Sequence, residues 1–126
     1  MTREMGQRLA ADASTIQGVT RAVVCDRDGS VLGANGDAEP HRAAALGAFL
    51  GGRGEAMTQG GDLRGLGRVL SESRLREVRV TGANGDVIVV ESGQGRVVAG
   101  LNRGGANDAT GSALRSLVQR YEDVAA

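Results

Sequence analysis

The 126-residue sequence contains no lysine and no tryptophan, and it has one phenylalanine and one tyrosine. Without lysine, the chain has neither a lysine-dependent phosphate loop nor a Schiff-base nucleophile. The scarcity of aromatic rings argues against a surface that stacks nucleic-acid bases and leaves few candidates for aromatic catalytic side chains. A folded core must therefore be built from Ala, Val, Leu and Ile.

Net charge of either sign is also lacking, because fifteen arginines balance fifteen Asp and Glu residues. Without a net field the chain is not steered toward nucleic acid or an anionic membrane, so we expect neither as a partner. The single cysteine cannot form an internal disulfide, which suits a reducing cytosol. Met1–Ile16 alternates charged and apolar residues, which is typical of neither a signal peptide nor a membrane span. We expect one soluble, cytoplasmic domain over residues 1–126.

The clearest local signal is a β-hairpin between Gly18 and Leu32. Val19–Cys25 is rich in β-branched residues, and Ser30–Ala34 resumes an extended pattern. Between these strands, Asp26-Arg27-Asp28-Gly29 supplies residues that tolerate a tight reversal. Gly29 occupies the position that needs a positive φ, which glycine adopts without a Cβ clash.

Periodicity predicts three helices and three further strands. The helices are an amphipathic segment around Met5, Leu9, Ala13 and Ile16, a segment from His41 to about Gln59, and a last segment with Leu114, Leu117, Val118 and Tyr121 on one face. The strands are Leu75–Thr81, Val87–Glu91 and Arg96–Leu101, which short turns join as an antiparallel meander. The element order is α-β-β-α-β-β-β-α, an α+β fold with a five-stranded antiparallel sheet and helices on its faces. Leu63–Leu70 has no clear pattern.

The second predicted helix is unusual in its glycine content. Its apolar positions include Leu46, Phe49 and Leu50, but several glycines lie among them. Each glycine in a helix interior costs about 1 kcal/mol relative to alanine, so either the helix is frayed and broken or close approach compensates. Gly47 and Gly51 are four residues apart and form, with neighbouring alanines, a flat surface on which another backbone could lie.

Residue types that carry chemistry do not assemble into a site in the sequence. The Asp26–Ser30 turn resembles a calcium loop, but its glycine comes at the fourth position and its twelfth position is Asp37, which does not match an EF-hand. Cys25 follows two valines and is predicted to be a buried, inert strand cysteine. His41 is predicted in an exposed first helical turn, and no second histidine supports a metal site.

No nucleotide-binding motif is complete. Gly65-Leu66-Gly67-Arg68 lacks the third glycine of a dinucleotide fingerprint. Arg53, Arg64 and Arg68 are candidates for an arginine finger that acts on the phosphates of a partner, with solvated surface arginine as the alternative for each. The sequence therefore predicts no catalytic residue, no metal site and no cofactor, and it does not predict an enzyme.

Several segments, taken in order, resemble one known family. Ile16–Leu32 resembles the start of roadblock/dynein-light-chain domains, in which a Gly-Val pair leads into an apolar strand and an Asp-x-Asp-Gly turn. Leu75–Gly82, Asp86–Val90 and Val97–Leu101 are similar to the three-strand meander of that family, and the closing helix fits as well. The resemblance covers about Met5–Tyr121 and points to the bacterial branch that regulates small GTPases. The glycine-rich helix and the segment 63–73 depart from the family pattern.

This resemblance implies a profilin-like fold that is usually a homodimer, with the third strand paired to its mate at a sheet edge and the second helices packed together. Leu75–Thr81 would then be an edge strand whose unpaired backbone groups a second copy satisfies. The residues predicted at the dimer interface are Gly47, Leu50, Gly51, Gly54, Arg76, Val78 and Val80.

Members of this family commonly bind small Ras-like GTPases as regulators or serve as adaptors in larger assemblies. The resemblance therefore implies a non-enzymatic homodimeric regulator or adaptor with a small Ras-like GTPase as its partner. Two alternatives remain: a PAS-like small-molecule sensor domain, whose fold also contains a five-stranded sheet, and a purely structural dimeric scaffold. The scarcity of aromatic residues argues against the ligand cavity of a sensor.

Overall fold

The computed structural model describes residues 1–37, 39–48, 70–72 and 75–125. Within these ranges the helices are α1 (Arg3–Ser14), α2 (described over residues 40–48) and α3 (Asp108–Ala125). The strands in the same ranges are β1 (Val19–Asp26), β2 (Val31–Asn35), β3 (Leu70–Glu72), β4 (Leu75–Gly82), β5 (Gly85–Glu91) and β6 (Gly95–Leu101). The predicted elements are present in the predicted order, and β3 is added before β4. The predicted end of the second helix near Gln59 lies outside the described residues.

The strands form one antiparallel sheet in the order β2-β1-β6-β5-β4-β3. β4, β5 and β6 are the predicted meander, and β6 pairs along β1, so the first and last of the described strands are neighbours in the interior of the sheet. The α+β class and the five predicted strands are confirmed. β3 is not predicted from the sequence, because three residues are too few to show a period-two pattern.

Helices cover both faces of the sheet. α1 and α3 lie on one face over an aliphatic core that includes Leu9 and Leu114, each at most 1% exposed. α2 lies on the other face, where Ala44 packs against Val23 and Cys25. Buried strand residues are therefore covered on both sides, and the core is built from small aliphatic side chains, as the scarcity of aromatic residues predicts.

The β1–β2 hairpin has the predicted turn. Gly29 has a φ of 92°, and its amide donates to the carbonyl of Asp26 at 3.1 Å. The Asp26 carboxylate accepts hydrogen bonds from the amides of Asp28 (2.9 Å) and Ser30 (3.0 Å). Asp26 therefore fixes the turn through its own side chain, which is the common role of aspartate at such positions.

α1 crosses β2 in direct backbone contact. A Cβ added to Gly6 would lie 2.5 Å from Leu32 Cβ, and one added to Gly33 would lie 2.5 Å from the backbone of Gly6 and Gln7. The Gln7 side-chain amide donates to the Ala34 carbonyl (3.0 Å) and accepts from the Ala34 amide (3.2 Å). α1 therefore covers the outer edge of β2 and satisfies its backbone groups at Ala34.

A charged cluster is buried under the start of α3. Glu77 of β4 is 0% exposed and pairs with Arg79 and with Arg115, whose Nε lies 3.0 Å from the Glu77 carboxylate. Arg79 also donates to Asp108 at 2.7 Å. Gly111 leaves room for this cluster, since a Cβ there would lie 2.6 Å from a Glu77 oxygen. Pairing offsets the cost of burying these charges.

Candidate protein-interaction surface

Strand alternation places the predicted interface residues of β4 on the α2 side of the sheet. Val78 packs with Val89 and Val98, and Val80 and Val87 extend this cluster toward the end of the strands. Arg76 occupies the same face because it is two residues before Val78. The structure therefore brings Arg76, Val78 and Val80 into one row. Leu50, Gly51 and Gly54 lie outside the described residues.

Gly47 lies over the same sheet. It is buried, and a Cβ at this position would clash with Val98 Cγ2 and lie 3.6 Å from Arg96 Cδ. The close approach that this glycine allows is therefore made to the sheet of its own chain. A role for Gly47 between two copies stays a prediction.

α2 contacts the sheet through small residues. Leu46, one of the predicted apolar positions of this helix, is 44% exposed, whereas Ala44 is fully buried. The helix lies so close to the sheet that its contact face is made of residues such as Ala44 and Gly47.

Charged residues form one end of this surface. Arg96 of β6 donates to Glu91 of β5 at 3.0 Å, and both side chains are about nine-tenths buried. Arg76 is the register partner of Glu91 on the β4 side, so positive charges flank this carboxylate on both neighbouring strands. The row beginning at Arg76 is therefore charged at one end and apolar at Val80.

The outer edge of β4 is paired over only part of its length. β3 pairs with Leu75, Arg76 and Glu77, and no other described strand continues along Val78–Gly82. The predicted edge strand is thus covered by β3 at its first three residues. Among the residues that the structure describes, Val78–Gly82 is therefore a stretch of β4 along which a further strand can pair.

An open groove of about 390 Å³ lies between α2 and the sheet, next to Val87 and Val98. Leu46 lines it, and its charged wall contains Arg21, whose Nε lies 3.8 Å from Asp37. Gly100 provides space for this arginine, because a Cβ there would lie 2.6 Å from Arg21 Cγ. An apolar centre with a charged rim is typical of surfaces that bind proteins.

The side chains considered for chemistry occupy structural positions. Cys25 is 0% exposed, and burial raises the pKa of its thiol, so it is the buried strand cysteine that the sequence predicts. His41 is exposed in the first turn of α2, as predicted. Among the described residues no three His, Cys, Asp or Glu side chains are grouped to hold a metal ion. Arg53, Arg64 and Arg68 lie outside the described part.

The helices that the structure describes include none long and apolar enough to cross a membrane.

No protein-family model matches the sequence, and neither does any curated protein. Solved structures do match. A roadblock/LC7 domain from Streptomyces avermitilis superposes with a TM-score of 0.70 at 22% identity, covering 94% of this chain and 95% of that one. The gliding protein MglB from Thermus thermophilus has a TM-score of 0.58 at 17% identity, covering 94% and 89%. Myxococcus xanthus MglB has a TM-score of 0.51 at 13% identity, covering 96% and 81%.

These likenesses establish the fold. The chain has the roadblock/LC7 fold, and the resemblance detected in the hairpin and the meander is confirmed at that level.

Proposed function

We propose that this chain is a non-enzymatic, homodimeric regulator or adaptor in the cytoplasm that binds a small Ras-like GTPase and modulates it. The observation that carries the proposal is the roadblock/LC7 fold over 94% of the chain, shared with two bacterial MglB proteins. Small-GTPase regulation is the function that the sequence resemblance implies for this fold. Fold likeness alone does not determine function, so the surfaces must support the proposal.

The dimer is proposed to form along Val78–Gly82, the part of β4 that lies beyond the described pairing with β3. Two copies can pair there in antiparallel fashion, since the edge of a strand can accept a further strand. A two-fold axis at Val80 sets Arg79 opposite Thr81 of the second copy and keeps the two Arg79 side chains apart, which avoids like charges at directly opposed positions. The remaining predicted interface residues, Gly47, Leu50, Gly51 and Gly54, belong to the same proposal.

The groove at Leu46 is the proposed surface for the GTPase. It lies on the α2 face near Val87, next to the edge at which the second copy joins. Its half-exposed leucine and its rim of arginine and acidic side chains offer apolar contact and charge pairing, which together give affinity and orientation. No side chain of this surface needs to take part in a bond-breaking step.

The dimer is tested by light scattering. The wild-type chain should have about twice its monomer mass of 12.9 kDa. Val80→Lys, which places a charge on the open edge, should shift the mass toward that of the monomer. Asn35→Lys is the matched control, because it adds the same charge to exposed β2 at the opposite edge and should leave the dimer intact. A monomeric wild-type chain would refute this part of the proposal.

The GTPase partner is tested by mixing the chain with Ras-like GTPases from the same genome. We expect a complex on size-exclusion chromatography and a change in nucleotide turnover, both weakened by Leu46→Asp. Arg27→Asp, in the exposed β1–β2 turn, is the control and should have no effect. Absence of both a complex and a change in turnover across these GTPases contradicts the proposal.

A further inference from the structure

The opposite face of the sheet has a larger groove, between α1 and α3. Its volume is about 710 Å³, and Met5, Ile16 and Leu117 are among its apolar lining residues. Val124 lies at the end of the lining and is 80% exposed, although it is an aliphatic side chain. Val124 therefore extends the apolar lining of this groove to the end of α3.

The shape of the groove favours a helix as the bound segment. Its lining extends from Met5 on α1 to Ile16 just after that helix, and from Ala113 to Val124 on α3, which is about 17 Å at about 1.5 Å per helical residue. Both walls are helices whose backbone groups are bonded internally. An extended peptide buried there would lose water without gaining backbone partners, whereas a helix brings its own hydrogen bonds. The groove therefore fits a helix of about three turns.

Charged residues along the groove favour a helix with acidic side chains on both sides of its apolar face. Arg8 and Arg120 line it, while the carboxylate of Asp12 accepts a hydrogen bond from the Tyr121 hydroxyl at 2.5 Å. The contact of Arg8 with Glu4 is a 3.8 Å pair between side chains that are 72% and 81% exposed, and such pairs are weak. Both arginines can therefore face acidic groups of an occupant.

We propose that the groove between α1 and α3 binds an amphipathic helix of a partner protein, with apolar residues along the groove and acidic residues beside Arg8 and Arg120. This surface lies across the sheet from the dimer edge and the Leu46 groove, so both faces can be occupied together. The chain then connects the protein that carries this helix to the partner that is bound at the α2 face.

The probe is a fluorescein-labelled, stapled helical peptide of about 14 residues, with leucines at i, i+4, i+7 and i+11 and glutamates on both flanks. Its twin has lysine at every glutamate position. Anisotropy titrations should show that the acidic peptide binds at least about tenfold more tightly than its twin at low salt, with a smaller ratio at high salt.

Two substitutions locate the binding. The double variant Arg8→Glu, Arg120→Glu should reverse the preference between the peptides, whereas Arg3→Glu, outside the groove on the same helix, should not. Ser116→Trp fills the groove from an exposed position and should weaken both peptides about tenfold. Ser112→Trp is the control, because it is exposed on α3 but does not line the groove.

Three results would overturn this inference. They are equal binding of the two peptides, binding that Ser116→Trp leaves unchanged, and a loss of dimer mass in Ser116→Trp without peptide, which would make the groove an interface between copies. The Val80→Lys and GTPase experiments do not depend on the groove, so this inference and the proposed function can fail separately.

Discussion

Tyr121 is the one tyrosine of a chain that has no tryptophan, so phenolate absorbance at alkaline pH reports the ionisation of this residue alone. Partial burial and the neighbouring Asp12 carboxylate raise the pKa of Tyr121 from 10.0 to about 12, while Arg8 and Arg120 act in the opposite direction. This phenol therefore reports on the contact that joins α1 to α3.

We predict that an ultraviolet titration of the folded protein gives a tyrosine pKa of about 12, and that Asp12→Asn lowers it. Because the unfolded chain loses this proton near pH 10 and the folded chain near 12, the contribution to stability is complete below pH 10 and declines between pH 10 and 12. Tyr121→Phe should lack this part of the decline. An unchanged titration in Asp12→Asn contradicts the assignment.

Cys25 gives a second prediction for a single side chain. It is fully buried between the sheet and α2, and burial raises the pKa of its thiol. The thiolate is the reactive species, so a disulfide reagent such as DTNB should label the native protein far more slowly than the protein in urea. Rapid stoichiometric labelling of the native protein would show that α2 does not protect this position.

At the scale of elements, the contact between α1 and β2 depends on missing side chains. Gly33→Ala places a Cβ 2.5 Å from backbone atoms of Gly6 and Gln7, which cannot move independently of the helix. We predict a loss of about 2–3 kcal/mol in the free energy of unfolding, measured by urea denaturation. Gly93→Ala is the control, since a Cβ there meets no atom within 4 Å. Equal stability of the two variants would mean that α1 shifts freely.

The charged cluster beneath α3 gives an element-scale prediction of another kind. Glu77→Gln keeps the shape of the side chain but removes the charge that neutralises Arg79 and Arg115, so we expect destabilisation of about 3 kcal/mol. Asp108→Asn alters the exposed member, whose side chain is 77% exposed, and should cost well under 1 kcal/mol. Similar thermal midpoints for the two variants would contradict this ranking.

Features that depend on residues close together in the sequence are the ones that the sequence predicts. Val19–Cys25 and the later meander show an alternating or continuous apolar pattern over enough residues to be identified as strands from the local sequence. The face of Leu46 and the role of Gly33 depend on how closely a helix approaches the sheet, which no local pattern encodes. Asp86, at the start of a segment assigned to the meander, is 3% exposed and accepts hydrogen bonds from the amides of Gly104 (3.0 Å) and Ala106 (3.1 Å), contacts far along the chain that no local pattern predicts.

The candidate surface shows the same limit at the scale of the whole molecule. Alternation along β4 is enough to place Arg76, Val78 and Val80 on one face. The groove at Leu46 and the groove between α1 and α3 arise from the spacing of separate elements, so the sequence does not predict them. A sheet with helices on both faces leaves a separate outer surface on each side.

The two edges of the sheet are unequal, and this sets how far assembly can proceed. Gln7 and the tight contact of α1 occupy one edge, whereas at the other edge no described strand pairs with Val78–Gly82. A molecule with one adhesive edge has a valence of one, so joining two copies uses up every such edge and growth stops. Light scattering should therefore plateau at about twice 12.9 kDa as concentration rises. Gln7→Ala, but not Gln17→Ala, should raise the valence to two and permit slow chain growth into larger particles.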